Sequence, residues 1–83
     1  MNTADRVILE RYREKGRIAG GIRPGYVLRR DAILYVSDRH PDVDLESGID
    51  SLVEQDLLKA NEGGSFFFIT AAGVEKIDEL FGD

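Results

Sequence analysis

The chain has 83 residues, a formal charge of −5, and 42% hydrophobic against 33% charged residues. That length holds one domain, 1–83, and the balance of apolar and charged side chains excludes an unstructured polymer. It has no cysteine, which excludes disulfides and thiolate-bound metal and suits a reducing compartment.

No run approaches the roughly 18 apolar residues of a membrane span. The opening residues lack the basic-then-apolar order of a signal peptide. Cytoplasmic residence without membrane contact is the expectation. The charge is unevenly divided. Residues 1–40 carry nine Lys/Arg against five Asp/Glu, a net of +4, whereas residues 41–83 carry two against eleven, a net of −9. Such a division builds an electrostatic face that orients a partner, unless the two halves interleave in space and cancel.

Thr3 to Lys15 reads as a first helix. Thr3 is its expected cap, and Asp5 sits in the first turn near the positive end of the helix dipole. Val7, Ile8 and Tyr12 fall at helical spacing, and Gly16 stands where a left-handed terminal residue is expected. Gly16 to Gly25 holds four of the nine glycines plus Pro24, so it reads as irregular. Tyr26-Val27-Leu28 reads as a short strand able to pair with a later hairpin.

A second helix is expected from Arg29 or Arg30 to Arg39. Ala32, Ile33, Val36 and Tyr35 would form its inner face, and Pro41 would end it. Asp44 to Gln55 reads as a third helix capped by Asp44 or Asp42. Its apolar stripe is Leu45, Ile49, Leu52 and Val53, and Gly48 weakens it by about 1 kcal/mol relative to Ala. Its outer face carries Glu46, Ser47, Asp50, Ser51 and Glu54. Leu57 to Asn61 and Ser65 to Ile69 read as two strands joined by the turn Asn61-Glu62-Gly63-Gly64. Thr70 then caps a last helix, Ala71 to Phe81, with Val74, Ile77, Leu80 and Phe81 on its apolar face.

Three local patterns carry a resemblance. Asp5-Arg6-Val7-Ile8-Leu9-Glu10 opens the first helix. Leu52-x-x-x-Asp56-Leu57-Leu58 is similar to a Leu-x-x-x-Gly-Leu-Ile helix ending. Phe67-Phe68-Ile69-Thr70-Ala71-Ala72-Gly73 is similar to a Tyr-x-Leu-Thr-x-x-Gly strand-to-helix junction. Together, over nearly the whole chain, these resemble the winged helix-turn-helix domains of bacterial and archaeal transcription regulators. The resemblance implies an α+β fold with a three-helix core, a β-hairpin wing and a C-terminal helix. It also implies duplex DNA as partner, with the third helix entering the major groove, and a last helix that serves in dimers.

Two departures stand out. Asp56 replaces the family glycine, although Asp is among the few residues that tolerate left-handed geometry. The third helix is acidic, with Glu46, Asp50 and Glu54 where phosphates and base edges would lie. The separation of helices two and three, Asp38 to Val43, is also long for a tight helix-turn-helix.

The candidate nucleic-acid contacts are Arg29, Arg30, Arg39 and Lys59 toward phosphates, with Ser47 and Ser51 as neutral donors on the third helix. The alternative is that the arginines pair with the acidic half of the chain. The candidate protein-interaction residues are Phe66 and Phe68, expected to point outward if Phe67 and Ile69 point inward. Val74, Ile77 and Phe81 join them, as a homodimer seam or as part of the core. A second reading follows from the acidic helix, namely a module that binds a basic protein partner without DNA.

The glycine loop lacks the spacing of a phosphate-binding loop. His40 is the only histidine, so no metal site is expected. Ser47 and Ser51 have no partners for nucleophilic catalysis, and the carboxylates lie on an exposed face. Neither a catalytic residue nor a cofactor nor a small-molecule substrate is expected.

Overall fold

In the computed structural model, which describes residues 2–82, the first helix, α1, spans Thr3–Ile18. Its cap is Asn2 rather than Thr3: the Asn2 side chain accepts from the Asp5 amide at 2.9 Å. Both residue types cap helices, and the one further out satisfies the first free amides. The helix also runs past Gly16, which packs against Ile22. The reversal falls instead on Gly20 and Gly21, with φ of 95° and 120°.

β1 is Val27–Arg29, and α2 follows at once over Arg30–Leu34. The expected second helix therefore breaks, because its latter half, Tyr35–Arg39, tightens into a 3-10 turn. Ile33 and Val36 are buried and Ala32 packs at the edge of the core, but Tyr35 is 73% exposed. On the outside, the Tyr35 ring has the Arg11 guanidinium over it at 5.2 Å. α3 spans Leu45–Glu54, with Asp44 accepting from the Ser47 amide at 3.0 Å as its cap.

β2 is Leu58–Ala60, β3 is Phe66–Ile69, and α4 is Ala71–Phe81. Thr70 caps α4 by accepting from the Gly73 amide at 3.0 Å. The strands form one antiparallel sheet in the order β1-β3-β2. The chain is thus a small α+β domain of four α-helices and a three-stranded sheet among the described residues.

One contiguous core joins the elements. Ile8, Leu9 and Tyr12 from α1 meet Ile33 from α2, Leu45, Ile49 and Leu52 from α3, and Leu58, Phe67 and Ile69 from the sheet. Two contacts set the spacing. The first is Gly48, whose backbone lies against α1. A Cβ there would stand 2.8 Å from both Ala4 Cβ and Ile8 Cδ1. The glycine that weakens α3 on its own is therefore what lets the two helices approach.

The second contact is Tyr12, fully buried, whose hydroxyl donates to the Phe67 carbonyl at 2.6 Å. Burial pushes this phenol far above its ordinary pKa. Asp56, just after α3, has φ of 61°. It takes the left-handed geometry that the Leu-x-x-x-Asp56 pattern led us to expect.

Gly48→Ala should lower stability by about 1–3 kcal/mol in urea unfolding, because overpacking outweighs the gain in helix propensity. Tyr12→Phe should cost about 1–2 kcal/mol, since it leaves the Phe67 carbonyl buried without its donor. The folded chain holds the Tyr12 proton to higher pH than the unfolded chain does. Stability is therefore full below about pH 10 and falls above it. In the Tyr12→Phe variant this alkaline loss should be shallower in a pH series of melting temperatures.

Candidate functional site

Strand register decides which side chains share a surface. Val27 stands opposite Phe68 and Arg29 opposite Phe66, while Lys59 faces Phe68 from the other edge. Directly opposed residues share one face of an antiparallel pair. The inner face carries Leu28, Leu58, Phe67 and Ile69, all buried. The outer face carries Val27, Arg29, Lys59, Phe66 and Phe68. Phe66 is 39% and Phe68 38% exposed, and Val27 is 40% exposed.

Of the six candidate nucleic-acid residues, the structure brings Arg29 and Lys59 together on this face. The Arg29 side chain is 71% exposed and lies 3.9 Å from the still more open Asp31 carboxylate. A pair so exposed contributes little and separates readily. Lys59 makes no ion pair among the described residues.

Arg30 borders the same recess as Arg29 and Phe66 but is tied down, and the other three lie elsewhere. Arg30 is held on three sides. Its Nε donates to the Gly64 carbonyl at 3.3 Å, its Nη1 meets Glu46 Oε1 at 3.2 Å, and its guanidinium covers the Phe67 ring at 5.1 Å. Its amide donates to the Ser65 carbonyl at 2.9 Å and so is not free for a phosphate. Arg30 therefore clamps the hairpin turn to α2 and to the start of α3. Ser51 turns inward and donates to Asp5 Oδ2 at 3.2 Å. Asp5 is the one buried charged side chain among the described residues. It also accepts from Gln55 Nε2 at 3.0 Å, while its Oδ1 has no partner. The cost of burying this carboxylate is offset by those two donors, and they tie the end of α3 to α1.

Ser47 lines a recess with Asn2, Ala4, Asp42 and Asp44, on the α1 side of the domain. Arg39 lines a small cavity with His40, Val36, Glu10 and Glu14, beside α1. The charged outward positions of α3 are Glu46, Asp50 and Glu54, all exposed, with Ser47 exposed beside them. Among the described residues, no cluster of three or more His, Cys, Asp or Glu is arranged to hold a metal ion. None of the helices there is long and apolar enough to cross a membrane.

The expected interaction residues also divide. Phe66 and Phe68 are outward. Ile77 is buried in the core, and Val74 and Phe81 pack against it half-exposed. Phe81 lies between the guanidinium groups of Arg6 at 5.6 Å and Arg13 at 5.3 Å. The apolar stripe of α4 closes on its own domain, because α1 supplies the complementary surface. Val27 is the residue that sequence reasoning left out of the site. Its strand is legible, but only the register places it beside Phe68. No protein-family model matches the chain, and no curated protein or solved structure matches it either.

Arg30→Ala should cost on the order of 1–2 kcal/mol, from the lost ring contact and the lost turn hydrogen bond. It should also speed amide hydrogen exchange in the hairpin turn. Glu46→Gln, which removes only the exposed half of the clamp, should cost under about 0.5 kcal/mol.

Proposed function

We propose that the chain is a winged-helix domain acting as a small DNA-binding regulator, and that it meets nucleic acid through the outer face of its sheet rather than through α3. The observation that carries this reading is the pairing of Arg29 and Lys59 across one open surface. The remaining candidate cations are engaged or lie elsewhere.

Two local geometries support the family assignment. Asp56 occupies a left-handed position where winged-helix domains carry glycine. Gly73 also has a physical reason to be glycine, since a Cβ there would overlap the Leu57 carbonyl and the Ile69 side chain. The Thr-x-x-Gly junction is then a close approach of α4 to the sheet, capped by Thr70.

Electrostatics explains why the docking surface differs from the family's usual one. Phosphate contacts supply much of the affinity of nucleic-acid binding. Glu46, Asp50 and Glu54 would oppose such contacts along α3, whereas on the sheet only Asp31 and Glu62 border Arg29 and Lys59. A second reading has its own observation. The same three carboxylates form an exposed acidic row, which fits a basic protein partner.

A titration of isotope-labelled protein with a short random duplex tests the first reading. Amide shifts should concentrate at Arg29, Lys59 and the hairpin, and should shrink as salt rises. Arg29→Ala and Lys59→Ala should each weaken binding and reduce the salt slope by about one. Asp50→Ala should leave binding unchanged or strengthen it. Absence of shifts even at low salt would overturn the duplex reading. Shifts confined to α3 on adding a lysine-rich peptide would instead establish the protein-binding one.

A further inference from the structure

The outer face of the sheet has a composition that backbone phosphates alone do not explain. Phe66 and Phe68 occupy the central strand two residues apart, on the same face. Alternate residues of a strand are separated by roughly 6.6 Å, a spacing within reach of successive unstacked bases. Arg29 flanks Phe66 from one edge strand and Lys59 flanks Phe68 from the other. Val27 extends the row beside Phe68. Each phenylalanine is more than a third exposed and has a cation at the facing position of a neighbouring strand.

The base faces of an intact duplex are hidden in its stack, so a duplex offers these rings nothing flat to cover. A single strand presents its bases freely, and aromatic platforms with flanking cations are how such strands are held without sequence preference. We infer that the outer face of the sheet binds single-stranded nucleic acid, with two successive bases stacked on Phe66 and Phe68 and the flanking phosphates held by Arg29 and Lys59. The inference rests on the reading that this domain binds nucleic acid, and it names the form of nucleic acid that the face takes.

Two further observations favour a polyanion with flat groups over a second copy of the chain. The exposed area of Val27, Phe66 and Phe68 together amounts to roughly 200 Å², under half of the roughly 450 Å² of apolar area that each partner of a stable interface buries. In addition, Arg29 and Lys59 have the same sign, so the same face of a second copy would bring like charges together. A polyanion meets both at once. Asp31 and Glu62 border the face, and they set a limit on affinity rather than a barrier: Asp31 already lies against Arg29, and Glu62 lies in the turn beyond the strands.

The chain has no tryptophan, so Phe68→Trp provides a single reporter at the proposed stacking site. The probe is an oligothymidylate of about 12 nucleotides, within the site sizes of known single-strand binders. Controls are an abasic strand of the same length and the same sequence as a duplex. Oligothymidylate should quench the reporter and saturate. Phe66→Ala and Phe68→Ala in the otherwise unaltered chain should each weaken binding about five- to a hundredfold by anisotropy. Both rings face solvent, so the variants should keep the parent amide spectrum, and that spectrum is recorded alongside.

Equal binding of the abasic strand would overturn the stacking inference, and so would unchanged affinity in both alanine variants. Duplex binding without single-strand binding would also overturn it, while leaving the regulator reading intact. If neither form binds at low salt, both readings fall. A concentration-dependent dimer that the alanine variants abolish, with no oligonucleotide bound, would reassign the face to self-association.

Discussion

The sheet has an outside because Tyr12 holds its central strand from the inside. The phenol leaves α1 and donates to the Phe67 carbonyl in the middle of β3, 55 residues away along the chain. A strand of three consecutive phenylalanines and an isoleucine has little intrinsic preference for which alternate set is buried. A slip of one residue would exchange Phe67 and Ile69 for Phe66 and Phe68. The hydrogen bond to Phe67, together with pairing on both edges by β1 and β2, fixes the register. Once Phe67 and Ile69 face α1, Arg29, Lys59, Phe66 and Phe68 must face away. The surface on which the functional argument depends is thus set by a contact in the core.

The same logic explains what was legible in the sequence. Thr70 and the stripe of α4 were readable because cap and periodicity are local signals, and the element agrees with them residue for residue. The hairpin and the left-handed Asp56 were readable for the same reason. The second helix was not, since nothing local reveals that Arg11 covers Tyr35 and that the chain tightens after Leu34. Propensity alone gives Gly48 only its cost to the helix. Its value lies in the distance between α1 and α3, which no single helix encodes. Among site residues, the outward turn of Phe66 and Phe68 followed from alternation. The fate of Arg30 and Ser51 did not follow, because their partners Glu46, Gly64 and Asp5 are distant in sequence.

Charge also reads differently in three dimensions. The basic first half and acidic second half do not form two simple hemispheres. Arg30 reaches Glu46, Arg6 and Arg13 lie on Phe81, and Arg29 has Asp31 beside it. Arg30, Arg6 and Arg13 are thereby engaged within the domain, while the exposed pair of Arg29 and Asp31 separates readily. The acidic row on α3 is neutralised only at Glu46 among the described residues, which leaves that helix a poor match for a polyanion and the sheet a better one.

The sheet is also very short. β1 and β2, its two edges, have three residues each. An open edge invites another strand to add to it, and proteins blunt such edges with brevity and with charge. Here each edge has one outward cation, Arg29 on one side and Lys59 on the other. Those two side chains therefore stand guard over a sheet whose face is rich in phenylalanine, discouraging copies of the chain from joining strand to strand. Removing either charge alters more than a contact with a ligand, because it leaves that edge strand to be blunted by its brevity alone.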